Sequence, residues 1–139
     1  MISFNYEITF QLQAENMIML WLSEVIRQES RKEGEICYVF CDDSYLHGLN
    51  VKFLDHDTLT DVISFDYCVG KELHGDIFIS IDRVKENANV FNENFNDELL
   101  RVMVHGLLHF CGYKDKTDAD AKMMREKENS CLMLLKDIQ

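Results

Sequence analysis

Apolar side chains recur along this chain with two different periods, and the switches between them mark out the elements. Residues 2–13 alternate loosely and carry Ile8, Thr9 and Phe10, which fits a strand or an extended lead-in. Over 16–31 the period lengthens: Met17, Ile18, Leu20, Trp21, Leu22, Val25 and Ile26 fall at helical spacing, and Gly34 follows as a stop signal. Over 35–41 the period is two, with Cys37, Val39 and Cys41 on one face and Ile36, Tyr38 and Phe40 on the other. Both faces are apolar, so a central strand covered on both sides is expected. Asp42, Asp43 and Ser44 offer an N-cap to a short helix running towards Asn50, on which His47 is expected to face solvent.

Residues 62–67 and 76–81 read as two more strands, separated by a loop that contains Gly70 and ends in His74-Gly75. So short a connection makes them antiparallel. The remainder is helical: a helix over 83–91, a second capped by Asn96, Asp97 and Glu98 and rich in Leu, Val and Met through Phe110, and a third over 118–136 with Met123, Met124, Leu132 and Leu135 as its apolar markers. Strand, helix, strand, short helix, two strands and three helices make an α/β (α+β) domain, a mixed sheet of about four strands packed with about five helices.

Length and composition narrow this further. A chain of 139 residues is expected to form one domain, 1–139, with a single core. No apolar run approaches the about 20 residues that span a bilayer. The first seven residues place no basic region ahead of an apolar one, so no secretory signal is expected and the expected compartment is the cytoplasm. Cys37, Cys41, Cys68, Cys111 and Cys131 are scattered without a CxxC pair, and read as reduced, mostly buried thiols. The net charge of −11 argues against a protein that coats nucleic acid by general attraction. It leaves open action on a nucleic acid held in one cleft or brought in by a partner.

The densest chemistry lies in the second of the three C-terminal helices. His105 and His109 are four positions apart, about 40° around a helix axis and about 6 Å along it, so both imidazoles share one face. Gly112 can take positive φ, end the helix and let the chain double back with the carboxylate of Asp115. Two nitrogens and one oxygen make a three-ligand site with room for water, the pattern of a catalytic zinc, in a zincin-like helix. Cys111 lies between these ligands but reads as small apolar packing. Hydrolysis is the first expectation, because such an ion generates a hydroxide at neutral pH. A metallopeptidase of the metzincin type would carry Glu after the first His as its base; here that position is Gly106, which moves no proton. Two His and one carboxylate also describe non-haem iron sites, and the hard Asp ligand leaves nickel, iron or manganese open beside zinc.

The segment His105-Gly106-Leu107-Leu108-His109-Phe110-Cys111-Gly112-Tyr113 resembles the HGxLHxxGY signature of the YbeY family of rRNA maturation factors and endoribonucleases. Residues 60–65, Thr-Asp-Val-Ile-Ser-Phe, are similar to that family's TDVxSF strand and Gly75-Asp76-Ile77 to its GDI strand, in the same order; Asn50 and Tyr113 also sit where similar members carry them. The resemblance implies a metal-dependent, single-strand-specific endoribonuclease with one zinc per chain, acting in 16S rRNA 3′-end processing and ribosome quality control. Its implied partners are rRNA, the small ribosomal subunit and ribosome-associated proteins. Two departures accompany it: the family's third ligand is commonly His where this chain has Asp115, and its Arg just before TDVxSF is replaced by Leu54. His56 or Lys52 could substitute for that cation, and Asp61 and Asp76 are expected to cap strands or orient the histidines. A ribosome-assembly module whose metal only staples helix to loop is the alternative, with a metalloprotease-like hydrolase behind it.

Overall fold

The structure, a computed structural model, describes residues 1–56 and 58–139. Among these the order is β1 (Ile2–Tyr6), α1 (Glu15–Gln28), β2 (Lys32–Cys41), α2 (Asp43–Leu54), β3 (Val62–Asp66), β4 (Glu72–Ser80), α3 (Ile81–Val90), α4 (Phe95–Phe110) and α5 (Asp118–Ile138). The sheet order is β1-β2-β4-β3. β1 and β4 both run parallel to β2, and β3 closes the other edge antiparallel to β4, so the sheet is mixed as expected.

β2 is central because its side chains have an apolar environment on both faces. Ile36, Tyr38 and Phe40 join Ile77 and Ile79 of β4 in the main core against α1, α4 and α5. Cys41 turns to the opposite face, where Leu46 of α2 and Ile63 of β3 form a smaller cluster with Phe65 and Phe78. Trp21 of α1 is fully buried and donates from Nε1 to the Cys131 carbonyl of α5 at 2.7 Å, which ties the first and last helices together. All five cysteines are free, and Cys41, Cys111 and Cys131 are buried. No described helix is long and apolar enough to cross a membrane.

Several boundaries differ from the sequence expectation for local reasons. Gly34 lies inside β2 and stops no helix; a Cβ there would sit 2.4 Å from the Leu73 carbonyl of β4, so the glycine permits a close strand approach. α1 ends instead at Gln28, and Ser30 takes the left-handed turn at φ +58°. His74 and Gly75 fall within β4 and not in a loop, while Ile81 opens α3 behind Ser80, whose hydroxyl caps Arg83 N–H at 3.2 Å. α2 runs on past Asn50 to Leu54, and its His47 is half-buried where exposure was expected. The cap of α4 is Asn94, which accepts from the amides of Asn96 and Asp97; Asp97 and Glu98 occupy the first turn. On α5 the buried stripe is Met124, Glu128, Cys131 and Leu135, and Met123 faces solvent.

Candidate metal centre

α4 carries the site because it is the helix the fold grips hardest. Ten of its residues are buried, from Glu98 to Phe110, which leaves His105 and His109 on the one half-open face. Gly106 faces the sheet: a Cβ there would lie 2.9 Å from Ile77 Cγ2 and 3.3 Å from Ser64 Oγ. The helix thus lies so close to β3 and β4 that position 106 has no space for a larger side chain. The position that would carry the peptidase base is therefore closed to a Glu side chain in this packing. At the other end Gly112 takes φ +100°, and the amides of Gly112 and Tyr113 return to the carbonyls of His109 and Leu108 at 3.0 and 3.1 Å. This paired closure reverses the chain and brings Asp115 back over the helix.

Three donor atoms meet there. His105 Nε2 and His109 Nε2 are 3.1 Å apart, and Asp115 Oδ2 stands 3.2 Å from the first and 3.5 Å from the second. Around a tetrahedral zinc with bonds of about 2.0–2.1 Å, neighbouring donors lie about 3.3 Å from one another. The far side of each ring fixes which nitrogen is bare. The Tyr113 carbonyl can only accept, so His109 Nδ1 carries the hydrogen that it donates over 3.0 Å. His105 Nδ1 donates to Glu128 Oε2 at 2.6 Å, and Arg101 holds the other oxygen of Glu128 at 3.0 Å. Two lone pairs and a carboxylate oxygen then point at one spot, an arrangement that calls for a shared positive centre. His105, His109 and Asp115 are a group that could hold a metal ion.

The electrostatics follow the same geometry. Burial works against charging His105, but the hydrogen bond and charge of Glu128, with Asp115 and Asp61 beyond, outweigh it and raise its pKa. Burial likewise pushes Glu128 up, yet the hydrogen bonds from His105 and Arg101 bring it below the ordinary glutamate value. Asp61 is pushed above the ordinary aspartate value by burial, against the pull of His105 and the 3.3 Å hydrogen bond from Asn87.

The centre opens onto a cleft of about 730 Å³ between α4, β3 and the chain that follows α2. Leu54, His56, Thr58, Ser64 and Lys116 line it with the three donors. A second cavity of about 440 Å³ lies behind, and His105, Asp115 and Asp61 line both.

A family model described as Endoribonuclease YbeY matches residues 3–136. The chain belongs to the YbeY endoribonuclease family. Among its relatives, the Endoribonuclease YbeY of Flavobacterium johnsoniae is 60% identical over 129 residues, 93% of each protein. That of Flavobacterium psychrophilum is 60% identical over 134 residues, 96% of each, and that of Christiangramia forsetii is 49% identical over 133 residues, covering 96% of this chain and 93% of the relative. The solution structure of TM1509 from Thermotoga maritima matches with a TM-score of 0.69 at 27% identity, over 97% of this chain and 89% of the other.

Within this member of the YbeY family, His105, His109 and Asp115 converge as their spacing implied, and His56 lines the same cleft. Leu54, at the position where the family resemblance expects Arg, lines the same cleft. Lys52 does not line it; its ammonium lies 5.2 Å above the Phe53 ring. The groups that orient the histidines are Glu128 and the Tyr113 carbonyl, in place of Asp61 and Asp76. Asp61 stays at the edge of the site, and Asp76 sits in the sheet opposite Cys37 and Phe65. Glu128 left a readable signal all the same. It is a charged residue on the stripe of Met124, Cys131 and Leu135, where an acid is costly to bury unless it is paired. Lys116, next to a ligand, is the other functional candidate that spacing did not single out.

Proposed function

We propose that this chain is a metal-dependent endoribonuclease that holds one zinc ion on His105, His109 and Asp115 and cuts single-stranded RNA in rRNA maturation, at the 3′ end of 16S rRNA, and in ribosome quality control. The observation that carries this reading is the convergence of three bare donor atoms at 3.1, 3.2 and 3.5 Å on the floor of an open cleft. The RNA substrate is taken from the relatives named Endoribonuclease YbeY, up to 60% identical over nearly their whole length. A zinc ion at such a site supplies a water with pKa lowered to about 7 and a Lewis acid for a phosphoryl oxygen.

The chain's own residues do the rest. Glu128 and the Tyr113 carbonyl keep a proton on each Nδ1, so both Nε2 atoms stay available as ligands. Lys116 and His56, exposed on the cleft, meet the phosphates of a bound strand. The donor set with one carboxylate also accommodates nickel, iron or manganese. The small ribosomal subunit and ribosome-associated proteins, met in the cytoplasm, would bring RNA to a chain of net charge −11.

A second reading, a ribosome-assembly module with a structural metal, is favoured by Leu54, an apolar side chain on the cleft wall where a phosphate-binding cation is expected. Cleavage of a single-stranded rRNA fragment, with bound metal measured by elemental analysis, separates the two. The wild-type protein is expected to cut with about one zinc per chain, and His109→Ala to lose both metal and cleavage. Full metal without cleavage would favour the binding module, and cleavage that survives loss of the metal would overturn the metal site.

A further inference from the structure

The second imidazole of the centre is held by a carbonyl, and a carbonyl positions a ligand only as well as its own peptide is held. That peptide belongs to Tyr113, and three groups fix the turn around it. Its amide donates to the Leu108 carbonyl at 3.1 Å. Two residues before it, the Cys111 carbonyl accepts from Arg31 Nη2 at 2.8 Å. Its own phenol reaches away from the site and donates to Glu29 Oε1 at 2.8 Å. Glu29 terminates α1, and its second oxygen is held by Lys127 Nζ of α5 at 2.6 Å. The Glu29 side chain is only 12% exposed, which makes this pair stiffer than an ordinary surface ion pair.

Lys127 is the residue directly before Glu128. Consecutive side chains of α5 therefore reach the two imidazoles by separate routes: Glu128 touches His105 itself, and Lys127 acts on His109 through Glu29 and Tyr113. The same turn carries Asp115 two residues on, so a rotation of Tyr113 would displace one ligand and strip another of its acceptor. We propose that Tyr113, Glu29 and Lys127 are positioning residues of the metal centre, and that the seating of α1 against α5 sets how tightly the ion is held. This rests on the metal reading of the site and adds control from outside it.

A merely structural role would look different. The three groups also tie α1 to α5, a junction already held by Trp21 and its hydrogen bond to Cys131. Were that their whole contribution, removing them would lower the thermal midpoint of the metal-free protein and leave the affinity of the folded protein for metal unchanged. Positioning predicts the reverse weighting, because groups that orient a ligand typically change metal affinity by about 10–100-fold.

The test uses the full chain as wild type, Tyr113→Phe, Glu29→Gln, Lys127→Met and Lys127→Arg. Zinc affinity is measured by competition with a chromophoric chelator, and site geometry by the visible absorption of the cobalt(II)-loaded protein. Tyr113→Phe, Glu29→Gln and Lys127→Met are expected to weaken zinc about tenfold and shift the cobalt band, while Lys127→Arg keeps both near wild type. Folded variants that bind zinc within about twofold of wild type with an unchanged cobalt spectrum overturn the proposal. Should Tyr113→Phe fail to fold, Lys127→Met decides, since that side chain is partly exposed and lines neither cavity of the centre. A wild-type protein that takes up neither zinc nor cobalt removes the metal reading, a result distinct from bound metal insensitive to the variants.

Discussion

The two walls of the metal cleft are built from different materials. On the α4–α5 side every group that touches a ligand is itself held: Glu128, with a side chain only 6% exposed, is gripped by Arg101, and Tyr113 by Glu29. On the α2–β3 side, Leu54, His56 and Thr58 are exposed, and the segment is anchored by the His56 amide on the Asn50 carbonyl at 3.1 Å and by Asn50 Nδ2 on the Thr58 carbonyl at 2.9 Å. An ion needs its ligands fixed to within a fraction of an ångström, and the groups behind the two histidines are cross-linked and largely buried, while Asp115 itself is exposed. A polymer substrate needs accessible groups that meet it as it arrives, and the opposite wall offers those. On the proposed function, the contrast predicts that metal affinity and RNA affinity are separable, so substitutions on the two sides should move different measurements.

The sharpest break of this division comes from Glu128. Glu128→Gln keeps the shape but removes the charge that faces both His105 and Arg101, and zinc affinity is expected to fall about 10–100-fold. Cleavage should then fail at limiting zinc and return when zinc is saturating, with the KM for RNA little changed. A variant that keeps wild-type zinc affinity and loses RNA binding would invert the roles of the two walls.

A smaller effect is expected from Lys116, which lines the cleft beside the ligand Asp115 and is its one Lys or Arg among the described residues. Lys116→Ala should lower kcat/KM for RNA severalfold at unchanged bound zinc. It should also flatten the dependence of log affinity on log salt by about 0.7, the share of one single-strand phosphate contact. An unchanged salt slope would mean that this ammonium meets no phosphate.

What could be read in advance follows the same division. Interactions local in sequence were legible: two histidines one turn apart, a glycine able to reverse the chain and an acid three residues on bring three donor atoms together. The central place of β2 was legible because both of its faces are apolar. The partners that arrive from afar were not. Glu128 lies 23 positions beyond His105 and Glu29 lies 84 before Tyr113, and nothing local marks which acid pairs with which ring. Gly34 misled for a related reason. A glycine reads as a stop signal, but here the demand for it comes from the neighbouring β4, where a Cβ would collide with the Leu73 carbonyl, while the true end of α1 is taken by Ser30 in a conformation that serine rarely signals.

The smallest expected effect concerns His56 and Lys52, the two groups that lie close in sequence to Leu54, where a cation is expected. Their surroundings now separate them. His56 lines the cleft, with its amide pinned by Asn50 so that the side chain has a defined origin, whereas the Lys52 ammonium lies over the Phe53 ring and its side chain lines no part of the cleft. His56→Ala is therefore expected to lower kcat/KM for RNA about threefold at unchanged zinc content, the size of a single exposed hydrogen bond to phosphate of somewhat under 1 kcal/mol. Lys52→Ala is expected to leave cleavage unaltered, because an exposed ammonium above an aromatic ring contributes to local packing and not to a strand in the cleft. If Lys52→Ala costs more cleavage than His56→Ala, RNA crosses the outer face of α2 and not the cleft, and the α2–β3 wall loses its assignment as the substrate side.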